Sequence, residues 1–101
     1  MATYIYKIVP VNQAEALNPS PETMEILSAH FQYLQQAQAA GKLFLAGPCE
    51  DATFGIVIFY ADTPAEAQAF MDNDPAIIYN IMQAEVHPFR ISLLADEYQA
   101  S

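Results

Sequence analysis

Positive charge is what this sequence most lacks. Three basic residues, Lys7, Lys42 and Arg90, stand against 12 acidic ones, for a formal net charge of -9. A nucleic-acid surface must displace counterions from several phosphates at once, and three scattered cations cannot do so. An anionic membrane surface makes the same demand. Cysteine is nearly absent too: the single Cys49 excludes a disulfide within these residues and suits a reducing compartment. No apolar run approaches the roughly 20 residues of a membrane span. The first residues carry no basic segment followed by an apolar stretch, so no secretory signal is read and a cytoplasmic location is expected. No glycine-rich phosphate loop occurs, and the two histidines and one cysteine do not fall at metal-ligand spacing. The Asp72-Asn73-Asp74 run is too short for a calcium loop. Neither a cofactor nor a metal is therefore expected.

Apolar material, by contrast, is plentiful. Hydrophobic residues make up 53% of the 101 positions, which suits one domain over residues 1–101. Residues 3–9 alternate, with Tyr4, Tyr6 and Ile8 on one side and Ile5, Lys7 and Val9 on the other, as in a strand. Residues 11–20 are polar or small and read as a turn region. A helix follows: Ser20 suits its N-cap, Pro21 its first turn, and Gly41 its end. Met24, Leu27, Phe31 and Leu34 form an apolar stripe, with His30 at its edge. Residues 42–46 read as a short strand and 55–61 as a strand apolar on both faces. A second helix starts at Thr63-Pro64, with Ala67, Phe70 and Met71 inward, and breaks at Asp72-Asn73-Asp74-Pro75. A short helix is expected at 76–82. Residues 85–94 alternate as a last strand, with His87, Phe89, Ile91 and Leu93 on one face, and Pro88 marks an edge or a bulge.

The order is strand, helix, strand, strand, helix, strand, the split β-α-β pattern of ferredoxin-like α+β folds with a four-stranded antiparallel sheet. Two helices cover one face of such a sheet. The doubly apolar third strand asks for cover on the other, and a second copy of the sheet is the simplest source.

Several stretches in this order resemble the YciI-like (YCII-related) family. They are His30 within His-Phe-Gln-Tyr-Leu, Gly-Lys-Leu-Phe-Leu-Ala-Gly-Pro at 41–48, and the apolar strand at 55–61. Ala65-Glu66-Ala67, Asp74-Pro75 and Val-His-Pro-Phe-Arg at 86–90 complete the set. The resemblance implies a dimeric α/β barrel, a homodimer, and an active-site pair made of His30 and Asp74. Some members carry a serine on the third strand, where this sequence has Gly55. Chemistry near the family includes dehydrochlorination of a hydroxyquinol-type ring and muconolactone isomerase-like reactions.

The residues themselves leave two readings open. Histidine exchanges protons near neutrality, and a carboxylate on one ring nitrogen fixes the tautomer and strengthens the other as a base. His30 would then be the general base or acid and Asp74 its orienting partner; alternatively His30 is a boundary residue and Asp74 only caps a helix. Arg90 either contacts an anionic substrate or pairs with one of the acids. Cys49, beside Glu50 and Asp51, reads as an ordinary thiol. His87 reads as a structural histidine, and Tyr33, Tyr60 and Tyr79 as core or interface aromatics. The function expected is cofactor-independent proton transfer of lyase or isomerase type, such as dehydrohalogenation or lactone isomerisation, on a small cyclic or phenolic molecule. The alternative is a non-catalytic dimeric subunit that binds a small ligand or a partner.

Overall fold

The computed structural model describes residues 2–98. The elements run β1 (Ala2–Pro10), α1 (Gln13–Leu17), α2 (Pro21–Ala39), β2 (Leu43–Pro48), β3 (Gly55–Ala61), α3 (Pro64–Asp72), α4 (Pro75–Ile78) and β4 (Met82–Pro88). The four strands form one antiparallel sheet in the order β2-β3-β1-β4, the ferredoxin-like arrangement.

Alternation along β1 sorts its side chains as its sequence requires. Tyr4, Tyr6 and Ile8 are buried, while Lys7 and Val9 on the opposite face are exposed. Tyr6 stands opposite Val57 on β3 and Val86 on β4, so these share the helix-covered face. There they join Phe59, Leu34, Ala67 and Met71 in the core. Aromatic contacts tie this layer together: Phe59 lies 4.6 Å from Phe70, and Tyr33 stacks on Phe70 at 5.1 Å.

Helix ends follow local chemistry. Ser20 Oγ accepts from Thr23 N–H at 3.2 Å to start α2, and Pro21 occupies the first turn. At the other end Gly41 adopts φ 75° while Lys42 N–H donates to Ala37 O at 2.9 Å, closing the helix in a Schellman-type turn. Thr63 Oγ1 caps α3 by accepting from Glu66 N–H at 3.1 Å.

Four sequence expectations change. Residues 11–20 hold α1, capped by Asn12, whose side chain accepts from Glu15 N–H at 3.2 Å. The Glu15 carboxylate accepts from Ser20 N–H at 2.8 Å, and that backbone bond, with help from the Ser20 and Thr23 hydroxyls, holds it below the usual carboxylate range. The inward stripe of α2 runs through Ile26, Leu27, His30, Tyr33, Leu34 and Ala37, so Met24 and Phe31 are exposed and His30 is central rather than marginal. The short helix expected at 76–82 spans Pro75–Ile78. The last strand starts three residues earlier than expected and stops at Pro88 on a sheet edge, which suits a residue without an N–H to donate. Phe89, Ile91 and Leu93 thus lie beyond it.

Candidate functional site

His30 and Asp74 are brought together from opposite sides of the helical layer. The α2 stripe turns His30 inward, and Asp74 sits where α3 has ended and α4 begins. His30 Nδ1 lies 2.6 Å from Asp74 Oδ1, with the histidine side chain 13% exposed and the aspartate 0%. The same Oδ1 accepts from Ala76 N–H at 2.9 Å, so Asp74 is also the N-cap of α4. The cap and the contact with the histidine ring thus share one oxygen. The helix start fixes the carboxylate, and the fixed carboxylate then faces the ring.

A third partner comes from β1. Tyr6 O–H donates to Asp74 Oδ2 at 2.8 Å, and Tyr6 is fully buried. Burial first, then the Asp74 charge and the hydrogen bond to it, raise the Tyr6 phenol far above its ordinary range and keep it a donor. Tyr33, whose O–H donates to Phe70 O at 2.7 Å, is pushed up to about 12 by burial and then by Asp74. Sequence reasoning gave Tyr6 no role beyond the strand. The signal was present, since a tyrosine on an inward strand face needs a partner for its hydroxyl.

With Nδ1 taken by Asp74, Nε2 is the ring nitrogen left to meet a ligand. The ring lines a cavity of about 800 Å³ between α2 and the β2–β3 half of the sheet. Its walls are mostly apolar: Leu27, Phe31 and Leu34 from α2, Ile8 from β1, and Leu43 and Val57 from β2 and β3. β2 carries a bulge between Leu43 and Leu45, which bends the strand that forms the outer wall. α1 closes one end, tethered by Gln13 Nε2–H donating to Ala52 O at 2.9 Å.

A match to the family model for the YCII-related domain runs over residues 4–90. The chain belongs to the YCII-related family. No curated protein matches it. Among solved structures it is similar to 5-chloro-2-hydroxyhydroquinone dehydrochlorinase from Burkholderia phenoliruptrix, determined in complex with 2,5-dihydroxybenzoquinone. The TM-score is 0.65 at 18% identity, over 86% of this chain and 93% of that one. At that identity the likeness bears on the fold.

Against the family pattern, Gly55 has a physical counterpart. It lines the cavity, but a Cβ there would lie 3.1 Å from Gly47 O and 3.2 Å from Ile8 Cγ1. Ile8 thus crowds the space that a serine side chain would enter. Arg90 is not brought to the site: it is exposed, lies beyond the end of β4, and is not part of the cavity wall. The early end of β4 removes it from the strand face on which it was expected. His87 is likewise not a buried structural histidine. Its side chain is 64% exposed, on the open face, with Nε2 3.4 Å from Glu85 Oε2. Tyr79 is exposed, and Tyr60 meets Phe44 edge to face at 6.5 Å. Cys49 is half-buried at the cavity rim.

Proposed function

We propose that this domain is a cofactor-independent proton-transfer enzyme of lyase or isomerase type, acting on a small cyclic or phenolic molecule. The observation that carries this reading is a histidine on a cavity wall whose Nδ1 is held 2.6 Å from a fully buried carboxylate. In the neutral ring Nδ1–H donates to Asp74, and Nε2 keeps its lone pair toward the cavity. Nε2 takes a proton from the bound ring or its hydroxyl, and the electron pair released forms a new double bond. In an elimination from a chlorinated dihydroxy ring the released pair is taken up as the chlorine-bearing carbon gains a proton, and chloride then leaves with its bonding pair as the second hydroxyl gives up its proton; in an isomerisation the proton returns at another atom. The imidazolium formed is stabilised by Asp74, which the Tyr6 hydroxyl and Ala76 N–H hold in place. The similar solved structure adds support, being a dehydrochlorinase with a quinone bound.

The same proposal includes a homodimer and a cytoplasmic setting. This chain leaves one sheet face without helices, where Val9 is 42% exposed and Ile56 and Tyr60 are half-buried. A second sheet packed there would cover it.

One observation favours a non-catalytic alternative, a small-ligand-binding subunit. Gly55 lines the same cavity as His30 and carries no hydroxyl to share in proton movement. The test is turnover of a panel of chlorinated dihydroxybenzenes and lactones by the wild-type protein and by His30→Gln, which keeps a donor for Asp74 and so spares the fold. Turnover lost in His30→Gln supports the enzyme. Binding without turnover in the wild type moves the assignment to the binding subunit.

A further inference from the structure

The chain's three cations and its cavity do not meet. Lys7 alternates with Ile8 along β1, so when Ile8 faces the cavity Lys7 faces away, its ammonium 4.5 Å from the Phe54 ring on the open face. Lys42 precedes β2, Arg90 follows β4, and neither lines the cavity. Among the described residues the wall holds two ionisable side chains besides the Cys49 thiol: His30, already committed to Asp74, and Glu50, exposed at the rim.

We infer that this cavity selects uncharged hydroxylated rings and rejects rings bearing a carboxylate. The inference rests on the reading of the cavity as a ligand site and narrows its substrate class. An anion entering an apolar wall loses water and gains no cation in return, which is costly. His30 cannot serve as a standing counter-ion if it is to accept the proton. Glu50 and the overall charge of -9 repel an anion on its way in. An uncharged phenol avoids all three penalties. Its negative charge arises only when Nε2 takes the proton, at the moment the imidazolium forms beside it. Phe31 supplies flat apolar contact for the ring, and Gln35 and Gln38 supply polar groups that recognise hydroxyls without charge. Elimination from a hydroxylated ring fits this wall better than isomerisation of a lactone acid.

The matched probes are gentisamide and gentisate, the same dihydroxy ring carrying an amide or a carboxylate. Their affinities for the wild-type protein are measured by calorimetry at neutral pH, with the His30 ring signals followed by NMR to place the ligand. The amide is expected to bind at least about tenfold more tightly and to move the His30 signals, because one uncompensated charge costs that much or more. Glu50→Gln should narrow the gap. Equal or tighter binding of gentisate overturns the inference, as does failure of the amide to bind at all. Selective binding of the amide with no turnover of any substrate leaves the inference standing and removes the enzymatic reading. Turnover combined with a preference for the carboxylate does the reverse.

Discussion

Each face of the sheet carries one histidine beside one carboxylate, and the two pairs differ in almost everything else. On the covered face, His30 and Asp74 lie 2.6 Å apart with the carboxylate at 0% exposure, and every acceptor of that carboxylate is engaged by an N–H or O–H. On the open face, His87 and Glu85 lie 3.4 Å apart at 64% and 85% exposure. Both are His–carboxylate pairs by distance. Water screens the second and leaves its side chains free to wander, so it contributes little. The first is held by three different elements, and a carboxylate removed from water depends on those contacts. The proposed proton transfer needs a fixed geometry, and of the two pairs the one on the covered face has it.

Substitutions can break or sharpen this contrast. The largest effect is expected from Asp74→Ala, which orphans the Tyr6 hydroxyl, uncaps α4 and frees His30. It should cost about 3–5 kcal/mol by urea unfolding. A loss below about 1 kcal/mol would mean the buried cluster does not hold the layer together. Tyr6→Phe removes one donor to a buried carboxylate and should cost about 1.5–3 kcal/mol, measured the same way. Alkaline pH offers a graded probe of the same face. Tyrosine ordinarily ionises near pH 10. Folded Tyr33 is raised to about 12, and Tyr6 is raised as well. The Tyr33 contribution is therefore complete below about pH 10 and is lost as the pH rises through about 12, while the decline due to Tyr6 starts at the same pH and runs on beyond it. Tyr33→Phe should flatten that alkaline decline, and an unaltered slope would remove Tyr33 from the account. Gly55→Ser pushes a Cβ against Ile8 and the Gly47 carbonyl and should cost about 1 kcal/mol; pairing it with Ile8→Val should recover part of the loss. His87→Ala, on the open face, should change stability by less than about 0.5 kcal/mol.

Much of the covered face was legible in the sequence. Alternation in β1 put Tyr4, Tyr6 and Ile8 inward, and the apolar run gave β3 at its observed limits, Gly55–Ala61. Ser20, Pro21 and Gly41 marked both ends of α2. The pairing of His30 with Asp74 came from family resemblance, since a separation of 44 positions hides it from any local pattern. What escaped has physical reasons. α1 spans five residues and buries none of them, so it has no stripe to read. Hydropathy alone puts Met24 and Phe31 in the α2 stripe, while the helix turns a polar histidine inward to meet Asp74 and leaves those two exposed. Arg90 was placed on a strand that ends at Pro88. Tyr6 takes the expected inward face, but the acceptor of its hydroxyl, Asp74, is 68 positions away and beyond any local pattern.

The most direct test of the central claim is the tautomeric state of His30 in the neutral protein, read from the nitrogen shifts of both histidines by NMR. The account predicts a His30 ring protonated at Nδ1 and bare at Nε2, set apart from a His87 ring that behaves as a solvent-exposed imidazole. A His30 protonated at Nε2, or one indistinguishable from His87, would contradict it.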